Sequence, residues 1–116
     1  MIVSLRRVAH TRSGDKGNTS NTAVIAYDPA FYPYLKAQLT AAAFKALYGG
    51  VITGEVERHA VDGLQVLNFV AHGALGGGVS RSLALDNYGK ALASVVLRFE
   101  LDIPDALAGL LRGPPA

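Results

Sequence analysis

Residues 55–72 constrain the fold most strongly, because their pattern predicts two antiparallel strands. The stretch "EVERHAV" alternates charged and apolar residues, as a strand does when one of its faces is in water. Asp62-Gly63 is a turn dipeptide, and the apolar stretch "LQVLNFVAH" follows it as a second strand. We therefore expect a β-hairpin here and an antiparallel sheet around it.

The residues before this hairpin predict two strands and a helical region. β-favouring residues occupy much of positions 2–8, and "TAVIAY" at 22–27 is an apolar run suited to a buried strand. Asp28-Pro29 supplies an N-cap and a proline at the first helical position, and apolar residues then recur near helical spacing. Thr40 is a candidate break between two helices.

The residues after the hairpin complete the order of a known architecture. Asp86 can cap a helix that runs to about residue 96, and residues 97–103 alternate as a short strand does. The order strand, helix, hairpin, helix, strand, with one extra N-terminal strand, predicts an α+β ferredoxin-like fold with an antiparallel sheet and two helices on one face. One domain would span residues 1–116, with residues 105–116 as a peripheral tail.

Composition limits the classes of partner. The chain is 50% hydrophobic and only 17% charged, against about 25% charged residues in ordinary domains. The second face of the sheet would also need a cover, so we expect surface hidden against a partner subunit. The formal net charge is +2 without a basic run, which argues against nucleic acid. The uncharged stretch 63–80 holds too many polar groups and glycines for a membrane span.

Cofactors are not expected either. The chain has no cysteine, which excludes disulfides and thiolate sites and agrees with a cytoplasmic location. The histidines have no metal-like spacing, and no clustered carboxylates complete a site. We therefore predict neither a metal nor another cofactor.

The stretch "HTRSGDKGNTSN" at 10–21 has no large apolar side chain and predicts a polar loop between two strands. Its glycines permit close approach of a ligand, and its N–H groups and lysine could hold an anion. The Walker A spacing is absent. Two interpretations stay open, a hairpin loop that caps its own backbone and a substrate loop. The candidate residues are Ser13, Gly14, Asp15, Lys16, Gly17 and Asn18.

A second polar cluster begins at the end of the predicted hairpin. His72 can act as an acid or a base near neutral pH, and Arg81 could orient a carboxylate, a phosphate or a thioester carbonyl. The alternative is structural, because glycines also let two backbones approach closely. Ser13 and His72 could be drawn as a nucleophile and its base, although no "GxSxG" elbow supports that pair. The cluster comprises Asn68, His72, Gly76, Gly77, Gly78 and Arg81.

Three stretches carry a resemblance to a known family. They are "HTRSGDKGNTSNTAVIAYDP", "TGEVERHAVDGLQVLNFVAHGALGGGVSRSLALD" and "GKALASVVLRFELDIP". Residues 7–104 resemble the AtuA-like ferredoxin-fold domain, which forms the C-terminal part of acyclic terpene utilisation proteins and also occurs as a short free-standing chain. The resemblance implies a bacterial cytoplasmic protein of terpene or branched-acid catabolism through coenzyme A thioesters, without a settled reaction.

The resemblance also implies roles for the candidate residues and a partner. Because the chain lacks the large N-terminal domain of longer members, a separate large AtuA-type subunit is expected, alone or together with homo-oligomers. The expected ligand is a CoA thioester or a carboxylate. His72, Asp15 and Lys16 are expected to be catalytic, and the other residues of both clusters to bind substrate.

Three functions stay open at this point. The first is a small subunit or accessory domain of a hetero-oligomeric enzyme acting on an acyl-CoA or a similar carboxylic substrate. The second is a non-catalytic homo-oligomeric module, with sheets stacked face to face, that binds a small anion. The third is a stand-alone lyase or hydratase in which His72 is the base.

Overall fold

A computed structural model describes residues 1–16, with the backbone only at 15 and 16, and residues 19–48, 52, 54–72 and 95–113. These ranges contain strands, two α-helices and short 3-10 segments. The strands are β1 (Ile2–Ser4), β2 (Ala9–Lys16), β3 (Thr19–Ala26), β4 (Val56–Val61), β5 (Val66–His72) and β6 (Glu100–Asp102), and the helices are α1 (Tyr32–Gln38) and α2 (Ala41–Leu47).

The strands form antiparallel sheets, as predicted, and the mixed α+β architecture is consistent with a ferredoxin-like fold. Four strands form a sheet in the order β2-β3-β5-β4, and β1 pairs with β6 in a second, two-stranded sheet. β6, the last strand, therefore lies outside the four-stranded sheet, and β2 occupies the edge of β3. β2 takes that position because only two residues separate it from β3 along the chain, so closing the loop between them costs little entropy.

The polar stretch 10–21 is part of a β-hairpin, and most of the residues predicted as its loop belong to the two strands. β2 and β3 pair from Ala9 opposite Ala26 to Lys16 opposite Thr19. Both sheet faces of β2 carry polar or small residues, so an apolar alternation that would indicate a strand is missing. Only residues 17 and 18, which lie outside the described residues, separate the two strands.

The helix predictions are confirmed at their caps. The Asp28 carboxylate accepts a hydrogen bond from the Ala30 N–H at 2.9 Å. The predicted break at Thr40 is also found, because its hydroxyl accepts from the Ala43 N–H at 3.1 Å and begins α2. The second predicted helix lies almost entirely outside the described residues.

The hairpin of β4 and β5 is confirmed, but its turn is longer than the dipeptide Asp62-Gly63. A 3-10 segment, Asp62–Leu64, is followed by Gln65 in the left-handed conformation with φ 54°. β5 therefore begins at Val66, which pairs with Val61. The longer turn changes the register by two residues relative to a two-residue hairpin.

One face of the four-stranded sheet packs against the helices. Phe69 of β5 stacks on Phe44 of α2, with ring centroids 4.3 Å apart and planes 6° apart. Arg58 of β4 lies on the same face and donates to the carbonyls of Lys36 at 2.6 Å and Leu39 at 3.0 Å. These carbonyls end α1, so the guanidinium ties the helix to the sheet.

A buried tyrosine holds α1 against the turn of the hairpin. The Tyr32 hydroxyl donates to the Asp62 carboxylate at 2.7 Å, and the Lys36 ammonium donates to the same group at 2.9 Å. Burial, together with the carboxylate, raises the pKa of Tyr32 to about 12. The two donors lower the pKa of Asp62. These contacts fix the end of the hairpin remote from His72.

The C-terminal residues contact the body of the domain. The Arg112 N–H donates to the Arg7 carbonyl at 2.9 Å, and its guanidinium lies 4.4 Å from the centre of the Tyr27 ring. His10 also stacks on Tyr27, at 5.4 Å. Within the part of the chain that the structure describes, neither helix has the length or hydropathy to cross a bilayer.

Candidate functional site on the outer sheet face

The sheet face opposite the helices carries several polar side chains, and we call it the outer face. Leu67, Phe69 and Ala71 of β5 are buried towards the helices. Alternation along the strand therefore directs the residues between them to the outer face. Paired positions on the other strands share that face. Its members include Arg12, Asn21, Ala23, Glu57, His59, Asn68, Val70 and His72.

A glutamate lies between two histidines on this face. The His72 Nε2 atom is 2.6 Å from one Glu57 carboxylate oxygen, and the His59 Nε2 atom is 3.5 Å from the other. The exposed fractions of the His72 and Glu57 side chains are both 44%. The hydrogen bond from His72, followed by the positive charge of the imidazoles, lowers the pKa of Glu57.

The contact with Glu57 distinguishes the two ring nitrogens of His72. An ionised carboxylate only accepts hydrogen bonds, so the Nε2 atom of His72 must carry the proton that Glu57 accepts. The Nδ1 atom of the neutral ring then carries the lone pair and can accept a hydrogen bond. His72 and Glu57 thus form an oriented hydrogen-bonded pair.

A row of residues crosses the outer face beside this pair. Arg12, Ala23, Asn68 and His59 are successive partners on β2, β3, β5 and β4. Neighbouring strands are about 4.8 Å apart, so the row spans roughly 14 Å between its backbone ends. Among the described residues, the side chains of Arg12 and Asn68 have no hydrogen-bond or ion-pair partner. A guanidinium donates hydrogen bonds to anions, and a side-chain amide donates them to carbonyl oxygens.

The predicted site residues are only partly brought together. Asn68 and His72 share the outer face. Ser13 pairs with Thr22, whose side chain is buried on the helix side, so Ser13 and His72 lie on opposite faces. The suggested nucleophile and base pair of Ser13 and His72 is therefore wrong.

The other predicted residues are near the hairpin end or outside the described ranges. Gly14 pairs with Asn21 on the outer face. Lys16 and His72 both pair with Thr19, which separates their backbones by about 10 Å. Asp15 pairs with Ser20. Gly17, Asn18, Gly76, Gly77, Gly78 and Arg81 lie outside the described residues.

Sequence reasoning missed Glu57, His59 and Arg12. The alternation of "EVERHAV" already indicates that Glu57 and His59 share one strand face. Their distance from His72, however, depends on the register of the hairpin. Across residues 1–16, 19–48, 52, 54–72 and 95–113, no three histidine, aspartate, glutamate or cysteine side chains have the arrangement of a metal site.

The fold and this surface define an α+β domain with an oriented histidine and carboxylate pair on one sheet face. The family model of the AtuA ferredoxin-like domain matches residues 3–102. The chain therefore belongs to the AtuA ferredoxin-like domain family, and the resemblance seen in its motifs is confirmed. Comparisons with curated proteins and with solved structures find no match.

The pKa of Glu57 gives a direct test of the cluster. In His72→Ala we expect it to rise towards its ordinary value of 4.5, because the hydrogen bond from the imidazole is the largest of the causes that lower it. His59→Gln should have a smaller effect, since that contact is 3.5 Å long. Carboxyl ¹³C NMR titration measures both changes. A wild-type Glu57 that titrates at 4.5 would contradict the described contact.

The lowered pKa of Glu57 also determines how the stability of the fold depends on pH. A carboxyl group whose pKa is lower in the folded state stabilises the fold above its unfolded value, near 4.5. That contribution disappears as the pH falls from this value through the lowered folded pKa. The stability difference between wild type and His72→Ala should therefore shrink in this acid range.

Proposed function

We propose that this domain is the small subunit or accessory domain of a bacterial cytoplasmic enzyme acting on acyl-CoA or related carboxylic substrates, in terpene or branched-acid utilisation. The observation that carries the proposal is the 2.6 Å contact of His72 with Glu57 on a half-exposed sheet face. A carboxylate that orients an imidazole is a recurrent arrangement in proton transfer. Family membership supports the metabolic context.

In this proposal His72 moves a proton at its Nδ1 atom. The neutral ring takes the proton from the substrate, and the resulting imidazolium keeps its Nε2 hydrogen bond to Glu57. The carboxylate remains ionised and stabilises the positive ring. Return of that proton to a different carbon of the substrate completes an isomerisation, whereas its transfer to a departing hydroxide, released as water, completes an elimination; hydration is the reverse of the elimination.

The spacing of the polar groups favours an elongated substrate. Arg12 lies two strands and four residues away from His72, which corresponds to roughly 16 Å between their backbones. A CoA thioester is long enough to place a phosphate at Arg12 and its acyl group near His72. Asn68 lies in the same row as Arg12, two strands from it and four residues from His72, and its amide can hydrogen-bond to a carbonyl oxygen of an elongated ligand.

The exposure of the site supports the need for a second protein surface. His59, Glu57 and His72 keep 44% to 56% of their side-chain surface accessible. Charged and polar catalytic groups act more strongly where water is excluded. A large subunit placed over the outer face would supply that environment and the remaining contacts to the substrate.

Co-expression with a neighbouring large AtuA-type subunit tests the proposal. We expect the two chains to co-purify, and the complex to turn over acyl-CoA substrates that neither chain converts alone. Arg12→Ala should raise KM, while Arg98→Ala should not, because Arg98 is an exposed arginine outside the outer face. A chain that stays alone while the large subunit is fully active would overturn the proposal. Turnover by the isolated chain would instead support a stand-alone lyase or hydratase.

A second candidate is a non-catalytic homo-oligomeric module that binds a small anionic ligand. Exposed apolar residues at the turn of the β4–β5 hairpin favour it, since Val61 is 41% and Leu64 is 69% accessible. Stacking of two outer faces would cover this end of the sheet. Stable self-association in sizing chromatography, with ligand stabilisation and no turnover, would favour this candidate over the enzyme subunit.

A further inference from the structure

Gly54 and Glu55, the two residues that precede β4, both lie opposite the single residue His72. The His72 N–H donates to the Glu55 carbonyl at 2.9 Å, and the Gly54 N–H donates to the His72 carbonyl at 2.9 Å. In a regular antiparallel pair, one opposite residue would exchange both bonds with His72. Here Gly54 and Glu55 divide them, which is the arrangement of a β-bulge.

Gly54 leaves no room for a side chain at this bulge. A Cβ atom there would lie 2.4 Å from the His72 carbonyl oxygen, 2.8 Å from its carbonyl carbon and 3.0 Å from its Cβ atom. These neighbours belong to or adjoin the backbone, so they cannot move aside as the end of a flexible side chain could. Gly63, in the turn at the other end of the same hairpin, has nothing within 4 Å of its Cβ position.

We propose that Gly54 is a positioning residue that holds His72 in contact with Glu57. The bulge fixes both the N–H and the carbonyl of His72, and thereby the direction in which its side chain leaves the strand. Bulges beside functional sites commonly redirect a side chain in this way. Gly54 itself need not touch a substrate, and the catalytic meaning of its role rests on the proposed function of His72.

The contact between His72 and Glu57 is sensitive to a small movement of His72, because such a movement lengthens the hydrogen bond. A methyl group on Gly54 would require the His72 carbonyl to move by roughly half an ångström or more before the contact becomes tolerable. The Nε2 atom lies 2.6 Å from the Glu57 oxygen. A displacement of about 1 Å would exceed ordinary hydrogen-bond length.

The test compares Gly54→Ala with the matched control Gly63→Ala. In Gly54→Ala we expect the pKa of Glu57 to rise towards 4.5 and the His72 ring to populate both neutral tautomers, because the contact with Glu57 that selects Nε2–H is lost. Imidazole ¹⁵N and carboxyl ¹³C NMR spectra measure these changes. Gly63→Ala should leave both unchanged. In the complex, Gly54→Ala should lower kcat by about 10²-fold with little change in KM.

The outcomes separate this inference from the proposed function. If Gly54→Ala keeps the tautomer and the lowered Glu57 pKa, Gly54 does not position His72. If both NMR signals respond but turnover stays at the wild-type level, the positioning role is correct and the proposed catalytic role of His72 is wrong. If Gly54→Ala does not fold, hydrogen exchange of the wild type decides, because a rapidly exchanging Gly54 amide would contradict the bulge.

Discussion

Replacing His72 by glutamine is expected to lower kcat of the complex with the large subunit by about 10²- to 10⁴-fold, with KM nearly unchanged. Glutamine can still donate a hydrogen bond to Glu57, so the 2.6 Å contact can be preserved in form. It cannot take up and release a proton near neutral pH. Steady-state kinetics over a pH series measure the loss of rate and of its pH dependence.

Two variants of the same cluster serve as controls for this result. Glu57→Gln keeps an acceptor for the His72 N–H but removes the charge that stabilises the imidazolium, so kcat should also fall. His59→Gln should change kcat less than tenfold, because His59 makes only a 3.5 Å contact with Glu57. If His72→Gln folds and turns over substrate at the wild-type rate, His72 takes no part in the chemistry.

The parts of the fold that were predictable are those coded by local chemistry. The caps at Asp28 and Thr40 use side-chain oxygens that bond to N–H groups two or three residues ahead, so a short stretch of sequence is enough to identify them. The strand pair β4–β5 was also predictable, from alternation and a turn dipeptide. In contrast, β2 has polar residues on both faces, and it becomes a strand because β3 is available beside it.

The candidate site was only half predictable because it depends on register. A two-residue turn at Asp62-Gly63 would place Glu57 opposite Asn68. The observed turn extends to Gln65 in the left-handed conformation and places Glu57 opposite Val70, diagonal to His72. Side-chain chemistry identified His72 as a candidate base. The identity of its partner followed from a backbone conformation that the sequence pattern does not specify.

Replacing Phe69 by alanine is expected to lower the free energy of unfolding by about 3–5 kcal/mol. Its ring is fully buried and stacks on Phe44 at 4.3 Å, so truncation loses both buried apolar area and an aromatic contact between β5 and α2. Val70→Ala is the matched control, since Val70 is the next residue of β5 on the outer face. It should cost about 1 kcal/mol or less. Urea unfolding followed by circular dichroism measures both.

Phe69→Ala also tests whether the geometry of the outer face of β5 depends on core packing at its helix-facing side. Glu57 and His72 contact each other on the outer face, and the hydrogen bonds between β4 and β5 hold their backbones independently of the Phe69 ring. Under conditions where Phe69→Ala is folded, the pKa of Glu57 should therefore remain below its ordinary value. A return of that pKa to 4.5 would mean that core packing sets the site geometry. Equal stability losses in Phe69→Ala and Val70→Ala would contradict the assignment of the faces themselves.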